Sequence, residues 1–98
     1  MAEVTIVYWR DIPAQVIVGK GRRAAKQPLS ARFEQAIDRA AMRSGTAGTD
    51  AYLAEWRRGA PYTCEGDDAQ VAEAEVDRIE ASYDTARLKS LIDNDGRA

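Results

Sequence analysis

The chain opens on a run with no polar break. Val4-Thr5-Ile6-Val7-Tyr8-Trp9 is β-branched or aromatic throughout, the composition of a pleated strand with both faces covered. Arg10-Asp11-Ile12-Pro13 interrupts it, because Pro13 lacks a donor and restricts Ile12 before it. A second apolar run, Ala14-Gln15-Val16-Ile17-Val18, closes at Gly19-Lys20-Gly21, so the two runs predict an antiparallel hairpin. The period then changes. Leu29, Phe33, Ala36, Ile37, Ala40 and Ala41 recur at helical spacing, with Ser30 as the N-cap and Ser44-Gly45 as the stop near residue 43. Asp50 is placed to cap a short helix over 51–58, with Tyr52, Leu53 and Trp56 on one side and Gly59 and Pro61 after it. Tyr62-Thr63-Cys64 reads as a brief extended piece or a third, edge strand. The acids at 65–68 favour a new helix start, and Ala72, Val76, Ile79, Tyr83 and Ala86 form its seam. Leu88, Leu91 and Ile92 fall out of phase with that seam. A break is therefore expected near Ser82–Asp84, then a second short helix and a frayed tail from about residue 93. The fold expected is α+β: an antiparallel hairpin, with the third strand open, under a single layer of three to four helices.

Composition narrows the chemistry. The 98 residues predict a single domain over 1–98. Zero His removes imidazole triads, His-ligated zinc and the imidazole pH switch. One Cys excludes an internal disulfide and any Cys cluster. Neither a basic leader nor an apolar span is visible, so a soluble, cytoplasmic protein is the expectation. The net charge of −2 hides a split: residues 1–43 sum to +4 and residues 44–98 to −6. Such a division predicts halves that fold against each other, or an acidic partner for the first half.

Each candidate site has a plainer reading beside it. Cys64 has Thr63 and Glu65 as neighbours, neither of which activates a thiol, and it reads as a small packing residue. Glu65, Asp67 and Asp68 read as a solvated helix start rather than a cation site. No metal, cofactor or catalytic residue is assigned. Gly19-Lys20-Gly21-Arg22-Arg23 brings flexible backbone and cations together, which suits an anion, but it matches no phosphate-loop pattern. Tyr8 and Trp9 beside it offer stacking for nucleic acid, or simply core. Trp9-Arg10-Asp11-Ile12-Pro13 suits either an Arg–Asp pair pinning a turn or a polar site, and an enzyme built on Asp11, Tyr8 and an Arg requires a cleft around them. Trp56 reads as packing, with Arg57 and Arg58 complementing a helix C-terminus.

Tyr8-Trp9-Arg10-Asp11-Ile12-Pro13-Ala14-Gln15-Val16, then Arg32-Phe33-x-x-Ala36-Ile37-Asp38, then Tyr52-Leu53-x-x-Trp56, resemble the small bacterial "virulence factor" domain family. That family also occurs within the longer conserved virulence factor C proteins, and the likeness runs over about residues 4–92. Its label is a genetic one and implies no activity, cofactor or catalytic residue. Its place beside other domains implies interaction or regulation rather than catalysis. The leading expectation is a non-enzymatic interaction module with a protein partner, engaged through Arg10, Asp11, Gln15, Arg22, Arg23 and Arg32. Anionic-ligand or nucleic-acid binding through loop 20–26 is the alternative, and a small enzyme with an Asp/Arg/Tyr pocket the second. No membrane partner is expected, and monomer and homodimer stay open.

Overall fold

The computed structural model describes residues 1–98. The hairpin forms from β1 (Ala2–Trp9) and β2 (Ile12–Val18), and it is tighter than the sequence pattern suggests. Only Arg10 and Asp11 make the turn, with Arg10 in the left-handed region (φ 52). Ile12 and Pro13 belong to β2, opposite Trp9 and Tyr8. Pro13 is tolerated because the ladder on the far side of β2 begins only at Gln15. The register slips between Val7 and Tyr8, which leaves Ala14 as a bulge.

Three more strands complete an antiparallel sheet. Gly21–Arg23 makes one turn of 3-10 helix, and β3 (Ala25–Pro28) then pairs with β2. The stretch read as a basic loop is therefore an edge strand with a cationic turn before it. Along the far side of β1, β4 (Trp56–Arg58) takes Val7–Trp9 and β5 (Tyr62–Cys64) takes Ala2–Val4. The extended reading of 62–64 holds. The helix expected over 51–58 stops early: α2 is Asp50–Ala54, capped by Thr49 rather than Asp50. Residues 56–58 extend because the backbone of β1 needs partners there. Gly59 N–H continues that ladder to Ile6 O at 2.8 Å, and Arg10 N–H reaches Glu55 O at 3.1 Å. Arg57 and Arg58 consequently lie on a strand and do not complement a helix end.

The long helices match their periodicity. They are α1 (Ala31–Ser44), α3 (Asp68–Ser82) and α4 (Thr85–Asp93), with the last two separated at Tyr83–Asp84. Gly45 closes α1 in the left-handed region (φ 77), and Asp67 and Asp84 cap α3 and α4 by accepting from Gln70 N–H and Arg87 N–H. Ala86 is exposed, and Glu75 lies inside the buried stripe of α3. The helices also divide between two faces instead of forming one layer. Val4, Ile6, Val16 and Val18 line the face that meets α3, while α1 and α2 meet the opposite face only at its Trp9 end. Trp9 is fully buried there, with its indole N–H donating to Tyr52 O at 2.9 Å.

The tail does not fray. Gly96 is buried against Trp9, its carbonyl accepts from Asp11 N–H at 2.8 Å, and Arg10 donates to Asp95 O at 2.8 Å. The opposed charges of the two halves also find each other. Of seven ion pairs, four cross between residues 1–43 and 44–98: Arg10–Glu55, Arg32–Glu80, Arg43–Asp95 and Arg57–Asp11.

One polar cluster ties α3 to β5. Tyr62 donates its hydroxyl to buried Glu75, and Arg78 bonds both. The Arg78 hydrogen bond holds the Glu75 carboxyl below its ordinary range against the opposing effect of burial. Burial, then the bond to Glu75, pushes the Tyr62 phenol up to about 12. Glu80 is also lowered: burial pushes it up, but the Ser30 N–H and hydroxyl and the Arg32 guanidinium outweigh that. A carboxylate whose folded pKa lies below its unfolded value stabilises the fold above the unfolded pKa and loses that contribution as pH falls through the folded one. Urea midpoints should therefore fall on acidification below about pH 4.5. Glu75→Gln should flatten part of that dependence while costing about 1–3 kcal/mol at neutral pH. An unchanged acid limb in the variant contradicts the assignment.

Candidate interaction surface

The face of the sheet opposite α3 stays open at its other end. The register fixes which side chains it carries. Thr5, Ile17 and Lys26 form one row across β1, β2 and β3. Val7, Gln15 and Pro28 form the next, with Arg58 opposite Val7 on β4. No helix crosses the first row. A hollow of about 410 Å³ lies over it, lined by Lys20, Lys26 and Arg58 as cations, Glu3 as the one acid, and Thr5 and Ile17 among the floor residues. Gly19 and Gly21 form one wall, both at positive φ (99 and 66), so the chain can turn sharply out of β2 there.

The turn that follows presents Arg22 and Arg23, both exposed and free of any ion pair. Lys26 and Arg58 are unpaired too, and only Lys20 is engaged, 3.6 Å from Glu3. Three cations, Lys20, Lys26 and Arg58, thus line one hollow against a single lining acid, and two more follow on the turn between Lys20 and Lys26. Elsewhere in the first half, Arg10, Arg32 and Arg43 are spent on acids of the second half.

The six residues singled out from sequence do not form one site. Arg22 and Arg23 are exposed on the turn between Lys20 and Lys26 without lining the hollow themselves, and Gln15 is half-buried in a neighbouring groove. Arg10 is not exposed: its side chain keeps 10% of its accessible surface, stacked 5.0 Å from the centre of the Trp9 ring with Glu55 at 3.7 Å. Asp11 accepts from Arg57 at 3.1 Å and from Ala98 N–H at 2.7 Å. Arg32 lies over the Phe33 ring and donates to Glu80 and to the Tyr83 carbonyl, which fixes α1 to the end of α3. These three hold the fold together at two separate places.

Tyr8, Asp11 and an arginine do converge, with Arg57 stacked 4.6 Å over Tyr8 while bonding Asp11. Burial raises the Tyr8 phenol, with Tyr83 as the next cause. None of the four hollows is lined by Tyr8 or Asp11. Glu65, Asp67 and Asp68 gather no further ligand, since no three His, Cys, Asp or Glu side chains come together to hold a metal. Cys64 is a half-buried thiol on β5. No helix is long and apolar enough to cross a membrane.

Sequence reasoning gathers Lys20 and Lys26 into the basic stretch but misses Arg58, which the local pattern places on a helix. The available signal was two short runs, Trp56-Arg57-Arg58 and Tyr62-Thr63-Cys64, flanking Gly59-Ala60-Pro61. No curated protein and no solved structure matches the chain. The model of one family, described as "Virulence factor", matches residues 7–92, from the middle of β1 to the last turn of α4, and the chain belongs to that family.

Proposed function

We propose that this domain is a non-enzymatic interaction module that receives an acidic segment of a partner protein on the open end of its sheet. The observation behind this reading is the hollow over Thr5 and Ile17, lined by Lys20, Lys26 and Arg58 with Glu3 as the single lining acid, together with the exposed, unpaired Arg22 and Arg23 on the turn between Lys20 and Lys26. Unpaired cations clustered on one face are costly to leave mutually repelling, and an incoming row of carboxylates relieves them. Bidentate arginine contacts would set its register. The edge strand β3 is short, carries Lys26 and ends at Pro28, so recognition by side chains suits this face better than addition of a strand.

Nucleic acid is disfavoured because the stacking residues it would need are taken: Trp9 is fully buried and Tyr8 lies under Arg57.

Fluorescence anisotropy with a labelled oligoglutamate peptide tests the reading. Binding should weaken as salt rises. Lys26→Glu/Arg58→Glu should lose at least about tenfold in affinity, roughly 1.4 kcal/mol. Arg39→Glu/Lys89→Glu makes the same charge change in the hollow between α1 and α4 and should leave affinity unchanged. Equal loss in both variants overturns the assignment of the face. Tighter binding of single-stranded DNA than of oligoglutamate at the same salt overturns the acidic-protein reading in favour of nucleic acid.

A further inference from the structure

A second surface has the opposite character. Where α1 and α2 meet the sheet, two hollows of about 330 Å³ each lie side by side and share Asp38 and Tyr52. Each is of a size to take one large side chain, at the low end of ligand cavities. The Tyr52 ring stands between them, 6.1 Å from the Trp56 ring and nearly perpendicular to it. Three of the chain's four exposed large hydrophobic residues are here or on the adjoining helix: Met42 at 64%, Leu53 at 66% and Trp56 at 37%. Trp56 lines the first hollow, Met42 the second, and Leu53 follows Tyr52 on α2. Exposed apolar groups are ordinary singly, but their concentration beside two concavities marks a contact surface.

Charge identifies what fits. Glu34 and Asp38 line the strip, and no Lys or Arg lines either hollow. Both acids are exposed and neither joins an ion pair, although arginines engage acids over much of the rest of the molecule. Asp38 sits where the hollows join, so an incoming cation there has an apolar pocket on each side. An acidic segment or an anionic lipid surface would meet two uncompensated carboxylates.

We infer that the strip formed by Glu34, Asp38, Met42, Tyr52 and Trp56 docks a short basic segment of a partner protein, with one apolar side chain in each hollow and a Lys or Arg between them over Asp38. This surface is separate from the cationic hollow, so the domain carries two poles that select partners of opposite charge. Amphipathic segments that pair apolar anchors with flanking charge are an ordinary mode of recognition in grooves of this kind.

A synthetic Leu/Lys peptide with leucines at helical spacing is the probe, read by amide chemical shifts and by tryptophan fluorescence. Trp9 is buried, so a change in emission reports Trp56. Shifts should cluster around Asp38, Met42, Tyr52 and Trp56. Glu34→Lys/Asp38→Lys should weaken binding by at least about tenfold. Met42→Lys, at an exposed helix position that leaves the fold intact, should weaken it too. Glu73→Lys/Asp77→Lys makes the same charge change on exposed positions of α3 and should have no effect. Lys26→Glu/Arg58→Glu should also have no effect, which separates this test from that of the cationic face. Equal weakening by the α3 variant, or oligolysine or a Leu/Glu peptide binding as tightly as the Leu/Lys peptide, overturns the inference.

Discussion

Trp9→Ala is expected to cost about 3–5 kcal/mol, the range for truncating a fully buried large aromatic. Trp9 has no accessible surface. Its indole N–H bonds the Tyr52 carbonyl, its ring lies 5.7 Å from that of Tyr52, and Gly96 and Arg10 pack on it. It is therefore where the hairpin, α2 and the C-terminal turn meet. A domain of this length typically has about 5–15 kcal/mol in hand. Each kcal/mol moves the melting midpoint by roughly 4–8 °C. The variant should melt at least about 12 °C lower by circular dichroism, or fail to fold. A shift of a few degrees would mean that Trp9 does not join these three elements.

Gly96→Ala is the second large effect, and it tests whether the tail is part of the fold. Gly96 has φ 86, and a Cβ there would lie 2.9 Å from Cζ3 of the Trp9 ring. The conformation alone costs about 1–2 kcal/mol for an L side chain. The clash adds about 1–3 kcal/mol, because an indole boxed in by packing cannot step aside. Gly48→Ala separates the two contributions: Gly48 has φ 74 with nothing within 4 Å of its Cβ position. Gly48→Ala should show the conformational cost only, and Gly96→Ala clearly more. Equal costs would mean that the tail does not press on Trp9.

Particular residues show how far sequence carries. The three long helices were legible to within a residue or two because their signals are local: Ser30 and Gly45 bound α1, and Asp84 restarts the chain after Tyr83. The errors fall where a distant partner decides. Trp56–Arg58 has helical neighbours, but the unpaired edge of β1 draws it into the sheet. Lys26 sits in a stretch that reads as basic loop, until pairing with Ile17 makes it a strand residue with an assigned face. The tail looks polar and loose, yet Gly96 is the residue whose missing side chain makes room for Trp9.

The candidate site was half legible for the same reason. The excess of cations in the first half is visible in composition, but which of them stay free is not. Arg10 and Arg32 are consumed by Glu55 and Glu80, acids 45 and 48 residues away along the chain. Arg58, free and on the open face, comes from the acidic half. In this chain the Trp9-Arg10-Asp11 segment is therefore a structural knot, and the face proposed for binding lies elsewhere.

The most direct test of that separation is an amide chemical-shift titration of the isotopically labelled domain with oligoglutamate. The account predicts shifts concentrated at Thr5, Ile17, Gly19, Lys20, Lys26 and Arg58, with the Trp9–Arg10–Asp11 turn unmoved. Shifts centred on Arg10 and Asp11, or on Arg39 and Lys89 between α1 and α4, would contradict it.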